Sequence, residues 1–263
     1  MQVTADDGAG RTAVQDLSVT VTPVNDNDPV FTSSATPSVA ENTTSVVNLT
    51  ATDADVPAQT VSFSITGGAD AALFQIVGGQ LQFLAPPDYE APTDADANNI
   101  YQVQVTADDG AGRTAVQDLS VTVTPVNDND PLFTSSATPT VAENTTAVVS
   151  LTATDADLPA QTVSFSITGG ADAAPFQSVG GLLLLIAPPD YEAPTDADAN
   201  NIYQVQVTAD DGAGRTAVQD LSVTVTPVND NDPLFTSSAT PSVAENTTSV
   251  VNLTATDADL PAQ

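Results

Sequence analysis

Apolar and polar residues alternate with a period of two wherever this chain is not turning, which is the pattern of strands with one buried face. Val61, Phe63 and Ile65 alternate with Ser62, Ser64 and Thr66, and Leu81 and Phe83 with Gln80 and Gln82. Tyr101, Val103 and Val105 alternate with Gln102, Gln104 and Thr106, and Leu119, Val121 and Val123 with Ser120, Thr122 and Thr124. Turn formers separate these runs: Gly67-Gly68, Gly78-Gly79, Pro86-Pro87 and Asp109-Gly110 through Gly112. No stretch has a helical period of 3.6. With further strands expected at about 37–43 and 46–52, the pattern predicts an all-β fold of about seven short strands per unit. That is the count of an immunoglobulin-like sandwich. A closed barrel of similar strand number has the same periodicity, and strand order is not written in it.

The pattern repeats. The string VTADDGAGRT starts at Val3, Val105 and Val207, a period of 102 residues without insertion or deletion. Eleven positions differ between the two complete copies. A unit of about 100 residues is large enough to own a core, so the expectation is beads on a string. The boundaries predicted are a C-terminal remnant at 1–27, complete repeats at 28–129 and 130–231, and the N-terminal part of a further repeat at 232–263. Met1 stands where the later copies have Val103 and Val205, inside a strand, so the chain reads as cut from a longer protein. The end pieces are too short to close a core. The differences between copies are not evenly placed: Gln80-Leu81-Gln82-Phe83-Leu84 becomes Leu182-Leu183-Leu184-Leu185-Ile186, predicting an apolar patch, and Pro175 and Ser178 replace Leu73 and Ile76, predicting a looser second copy.

Charge changes the picture. Three basic residues face 34 acidic ones, a net charge of −31, with no Lys, His or Cys. Nucleic acid and anionic membrane are poor partners for such a chain. Disulfides and thiolate metal sites are excluded, and no segment reaches the roughly 18 consecutive apolar residues of a membrane span. Catalysis by paired carboxylates is conceivable, but the same acids recur in each copy without His, Cys or Lys beside them, and the chain reads as no enzyme.

The acids gather at turns. In the first copy they pair as Asp26 and Asp28, Asp53 and Asp55, Asp88 and Glu90, Asp94 and Asp96, Asp108 and Asp109, leaving Glu41, Asp70 and Asp118. All five glutamates lie in two motifs, VAEN (Glu41, Glu143, Glu245) and PDYE (Glu90, Glu192). Neighbouring carboxylates repel unless a cation neutralises them. Calcium takes six to eight oxygens from Asp, Glu, Asn and backbone carbonyls, whereas zinc wants nitrogen or sulfur and magnesium keeps more of its water. The competing reading is a solvated acidic surface of a salt-adapted protein. It predicts acids on outward strand positions, where this chain carries Ser, Thr and Gln.

These motifs resemble the calcium-binding signatures of cadherin repeats. Pro23-Val24-Asn25-Asp26-Asn27-Asp28-Pro29-Val30-Phe31 is similar to the inter-repeat linker and recurs at 125–133 and 227–235; VAEN resembles the Glu near the first strand; Asp53-Ala54-Asp55, Asp88-Tyr89-Glu90 and Ala107-Asp108-Asp109-Gly110 resemble the other three motifs, in the family's order. The longer string PDYEAPTDADANNIYQVQVTADDG is similar to repeats of large bacterial surface adhesins more than to animal cadherins. The resemblance implies Greek-key sandwiches with calcium at each junction. One set would be Glu41, Asp88, Glu90, Asn127, Asp128, Asp155, Asp157 and Asp211, and the next Glu143, Asp190, Glu192, Asn229, Asp230, Asp257 and Asp259. Asn25, Asp26, Asp53, Asp55 and Asp109 would belong to a junction without its upper glutamates.

Two departures from the family pattern matter. Pro23, Pro125 and Pro227 replace the linker's first Asp, and Gln59 stands near a usual ligand Asn. The family's three ions per junction become three, two or one. Asp94-Ala95-Asp96-Ala97-Asn98-Asn99 is either a separate calcium loop or an Asx-rich turn bonding its own backbone.

By resemblance, the segment is a calcium-stiffened extender of a cell-surface or secreted adhesin. Its partners would be neighbouring repeats, other copies of the protein or a surface glycan, without membrane insertion by this segment. Asn42-Thr43-Thr44 and Asn48-Leu49-Thr50 are sequons that a eukaryotic secretory pathway would glycosylate.

Overall fold

The computed structural model describes residues 1–259. It falls into two compact units, Met1–Val126 and Asn127–Gln263. In the first, strands β1 (Gln2–Asp6) and β2 (Thr12–Asp16) form a hairpin, followed by β3 (Val30–Phe31), β4 (Ser38–Ala40), β5 (Ser45–Asn48), β6 (Ala51–Thr52), β7 (Ser62–Gly67), β8 (Phe74–Val77), β9 (Gln80–Phe83), β10 (Ile100–Asp108) and β11 (Thr114–Thr124). Strands β4-β11-β10-β7 make a four-stranded sheet, in which β4 lies parallel to β11 and the other pairs are antiparallel. Strands β5-β9-β8 make a three-stranded sheet, and β3 pairs with β6. The expected sandwich is therefore present, with the short β3–β6 pair added to the seven main strands. The run expected at 46–52 is split into β5 and β6.

The core follows the alternation. Val103, Val105, Leu119, Val121 and Val123 from the four-stranded sheet meet Leu81, Phe83 and Phe74 from the three-stranded one, with Tyr101 among them. Gly78 and Gly79, at φ of 60° and 83°, close the β8–β9 hairpin in the left-handed conformation that a two-residue turn needs. At Gly68, φ is 104° and a Cβ would stand 2.5 Å from the Val103 Cα, so only glycine lets β7 pass β10 there.

The second unit repeats this plan with β12 (Leu132–Phe133), β13 (Thr140–Ala142), β14 (Ala147–Ser150), β15 (Ala153–Thr154), β16 (Ser164–Gly169), β17 (Phe176–Val179), β18 (Leu182–Leu185), β19 (Ile202–Asp210) and β20 (Thr216–Thr226). Sheets β13-β20-β19-β16 and β14-β18-β17 match those of the first unit. Among the described residues, the two-residue strands β21 (Leu234–Phe235) and β22 (Ala255–Thr256) follow them, exposed throughout. The β1–β2 hairpin is exposed at every position too. Beyond the strand bounds Met1 and Leu17 continue the pairing, with Leu17 N–H donating to Met1 O at 2.7 Å and the Met1 amine donating to Leu17 O at 3.1 Å.

The two sandwiches differ inside. In the first, Phe74 stacks on Phe83 at 4.5 Å and Tyr101 meets Phe83 edge-on at 5.0 Å. Leu185 replaces Phe83 in the second, so both contacts of that ring are lost, while the Phe176–Tyr203 contact remains at 5.9 Å. Leu73 N–H donates to Asp70 O at 2.9 Å in a short 3₁₀ turn. Pro175 at the equivalent position has no N–H to give. Leu73 and Ile76 pack on the first core, while Pro175 and Ser178 are not part of the second. Losing a half-buried Ile and the two ring contacts of Phe83 costs about 1–3 kcal/mol in all. Hydrogen exchange should therefore show Val205 and Val207 amides opening sooner than Val103 and Val105. Restoring Ile at position 178 together with Phe at 185 should close the gap, and equal protection in the unmodified chain would count against it.

Candidate metal centre

Each motif sits on a loop at one end of a sandwich, where turns bring carboxylates together that the sequence keeps far apart. In the first unit, Asp53, Asp55 and Asp109 each offer a carboxylate oxygen within 4.8 Å of one another. Asp53 and Asp55 follow β6, and Asp109 follows β10. Asp55 accepts from the Asp26 and Asn27 amides at 3.3 and 3.2 Å and from Asn27 Nδ2 at 2.7 Å. Hydrogen bonding from the Asn27 side chain, against an opposing effect of burial, holds the Asp55 carboxyl below its ordinary value. Burial raises Asp109, but the Ala111 and Arg113 amides and the Asn25 side chain outweigh it, so Asp109 is also lowered. At the other end, Glu41 is 2% exposed and receives the Tyr89 amide at 2.7 Å and the Val126 amide at 2.6 Å. Tyr89 lies between Asp88 and Glu90, and Asp88 in turn accepts from the Glu90 and Ala91 amides at 3.0 Å.

The second unit shows both kinds of cluster. Asp155, Asp157 and Asp211 converge within 4.8 Å. Asn127 Nδ2 donates to Asp211 at 2.9 Å, and Asp157 receives the Asp128 and Asn129 amides at 3.2 Å. Burial pushes Asp157 up and the Asn129 side chain, with these amides, brings it below the usual range. Burial likewise opposes, without reversing, the lowering of Asp211 by the Ala213 amide and Asn127. At the far end Glu143, Asp190 and Glu192 form one group and Glu192, Asp230 and Asp259 another, so Glu192 belongs to both. Asp257 accepts the Asp259 amide at 3.1 Å and is in neither group. Asn144, from VAEN, donates to Asp230 at 2.6 Å. Asn27, Asn129 and Asn231, whose side chains hold Asp55, Asp157 and Asp259, are not among the ligands expected from the motifs. Their signal was present in the linker string, one residue beyond Asp26, Asp128 and Asp230.

The donor set was tested against a cation by its unpaired atoms. Asn25 Oδ1, Asp53 Oδ2, Gln59 Oε1 and Asp109 Oδ2 in the first unit are buried and accept no hydrogen bond. Asp155 Oδ2, Gln161 Oε1 and Asp259 Oδ2 are the same in the second. Gln161 Nε2 donates to Asn127 Oδ1 at 2.8 Å, which places this glutamine amide at the cluster. Buried acceptors without a donor are costly, and hard oxygens without His or Cys are the ligands calcium takes. The residues present fit that ion.

Residues 35–124 match the family described as the cadherin domain. Over 98% of its length the chain is 32% identical to human Protocadherin Fat 1, of which it spans 6%. It is also 32% identical to rat Cadherin EGF LAG seven-pass G-type receptor 3, over 95% of this chain and 8% of that protein. The chain is built of cadherin-like tandem repeats. The EC22-24 segment of mouse cadherin-23 has the same fold, with a TM-score of 0.63 at 23% identity over 89% of this chain and 79% of that one. The cadherin-like chain is thus a small part of the length of the relatives it matches. Among the described residues, no helix is long and apolar enough to cross a membrane.

The loop 94–99 is a different object. Asp94 accepts the Asn98 and Asn99 amides at 2.8 and 3.2 Å, and Asp70 accepts the Ala95 and Gln102 amides at 2.8 and 2.7 Å. Asp196 and Asp172 do the same in the second copy. The Asx-rich turn is what the hydrogen bonds describe, and Asp94 and Asp96 are in none of the candidate metal groups. Burial raises Asp94, yet the Asn98 amide and Asp96 hold it below its ordinary value, while Asp96 is raised by the same contact with Asp94. A carboxyl lowered on folding adds stability that is full above the unfolded value near 4 and disappears as pH falls below it. Asp94→Asn should thus lose about 1–2 kcal/mol at pH 6. Thermal melts should show a shallower decline for the variant than for the parent between about pH 5 and 2.5, and parallel curves would refute this role.

Proposed function

We propose that this chain is a calcium-binding extender in an extracellular or cell-surface adhesion protein. One observation carries the reading. Glu143, Asp190, Glu192, Asp230 and Asp259, from four separate motifs, meet in two groups that share Glu192, and Asp259 keeps an unpaired buried oxygen. The residues one period earlier are proposed for the same role, with Asn25, Asp26, Asn229 and Asp257 as flanking oxygen donors, and 28–129 and 130–231 as the complete repeats. The ion would hold the linker against the loops of the preceding repeat, replacing repulsion among carboxylates by attraction to a shared cation. Successive repeats would then keep a fixed angle, as a spacer needs. Kinship to bacterial surface adhesins belongs to this proposal as well. The relatives are cadherins rather than enzymes, which supports a structural rather than a catalytic use of the paired acids.

Binding to the folded state alone stabilises it by about 2.7 kcal/mol when free ion is a hundred times the dissociation constant. Extracellular modules of this chemistry bind at about 0.1–1 mM. Small-angle scattering of the chain should give a narrower distance distribution with millimolar calcium than with chelator. Glu192→Gln should remove much of that difference. No change on chelation, or an equal effect of magnesium, would return the acids to the role of a solvated surface.

A further inference from the structure

The differences between the two repeats gather on one sheet. Of the eleven positions that differ, six lie in the twelve residues of the three-stranded sheet, and one lies in the whole four-stranded sheet. In the first repeat the outward face of that sheet is a polar network. Gln80 Nε2 donates to Ser45 Oγ at 2.7 Å, and Gln82 Nε2 donates to Gln80 Oε1 at 2.6 Å. In the second repeat all three members are apolar: Ala147, Leu182 and Leu184. Leu182 and Leu184 alternate with buried Leu183 and Leu185, so they point outward, each half-buried. Val179 lies opposite Leu182 and Ala147 opposite Leu184 across the sheet, and Val179 is 58% exposed. Ile186, 62% exposed, continues the row into a cleft of about 360 Å³ lined by Pro175, Leu185, Ala187 and Pro188.

We propose that this face, from Ala147 and Val179 through Leu182 and Leu184 to Ile186, docks against the same face of a second copy of the chain. Charge selects the occupant. Strands β14, β17 and β18 carry no charged residue, while β19 and β20 of the opposite sheet carry Asp210 and Asp220 and both ends of the sandwich carry acid clusters. A basic partner would be drawn to those acids. A second copy, also at −31, is repelled least where the surface is neutral, and here it brings a neutral apolar face of its own. A two-fold contact also places each polar-to-apolar change on both sides of the interface at once.

Salt then has a diagnostic sign, because it screens the repulsion between copies and strengthens apolar docking, whereas it weakens a contact between opposite charges. The test is sedimentation velocity of the whole chain in calcium, over concentrations up to about 1 mM, where association becomes marginal. A dimer that grows with added salt is expected. Replacing Leu182 and Leu184 by the Gln residues of the first repeat, L182Q/L184Q, should weaken it about tenfold or more. V179K, at an exposed position that leaves the core untouched, should do the same while the melting temperature holds. A chain that stays monomeric, a dimer insensitive to L182Q/L184Q and V179K, or one that salt dissolves would each overturn the proposal.

Discussion

Carboxylates crowded at the ends of each sandwich, about half of them buried, are the constraint from which the rest of this structure follows. Two unit charges within 4.8 Å repel by about 3 kcal/mol or more at an effective dielectric of about 20. A trio such as Asp155, Asp157 and Asp211 contains three such pairs. Hydrogen bonds to a charged group return about 1.5–3 kcal/mol each; Glu41 and Glu143 take one amide on each oxygen, whereas several of the aspartates take theirs mostly on one. Asp211 Oδ1 takes three amides, whereas Asp155 Oδ2 and Asp259 Oδ2 take none. The amides fix where the carboxylates stand and leave some of their oxygens without a hydrogen-bond partner.

The fold supplies the loops that make this crowding possible and spends its two sheets differently. The four-stranded sheet, with its nine- and eleven-residue strands, is nearly identical in both repeats and ends in the Asp109 and Asp211 turns. It is the frame on which the clusters are held. The three-stranded sheet touches the same core with shorter strands and has room to vary. Its changes remove packing through Leu185 and Ser178, next to Pro175 in the preceding turn, and they make its outer surface apolar through Leu182 and Leu184.

Much of this was legible in the sequence. Alternation located β7, β9, β10 and β11, and Gly78-Gly79 located a hairpin, because period and turn chemistry are local properties. The parallel pairing of β4 with β11 was not legible, since periodicity is the same for either direction. Two-residue strands such as β3 were missed because they are too short to alternate. Clustering identified Asp157 and Glu192 as candidate ligands and could not separate them from Asp94, which has the same spacing to its neighbour. The difference lies in what reaches each carboxylate: Asp94 is held by its own turn, whereas Asp157 is held by Asn129, 28 residues away. Asn129 was overlooked for the same reason, because an amide that folds back onto a distant turn leaves no local pattern. The Leu182 and Leu184 patch is partly covered rather than fully exposed, a consequence of neighbouring strands that the sequence does not place.

The most direct measurement is isothermal titration of the metal-free chain with calcium, repeated with Asp157→Asn and with Asp259→Asn. The unpaired oxygens predict more than one ion per chain, dissociation constants of about 0.1–1 mM, and loss of a different part of the bound calcium in each variant. Heat no larger than that of dilution, or identical titrations for parent and both variants, would contradict a calcium centre at these carboxylates.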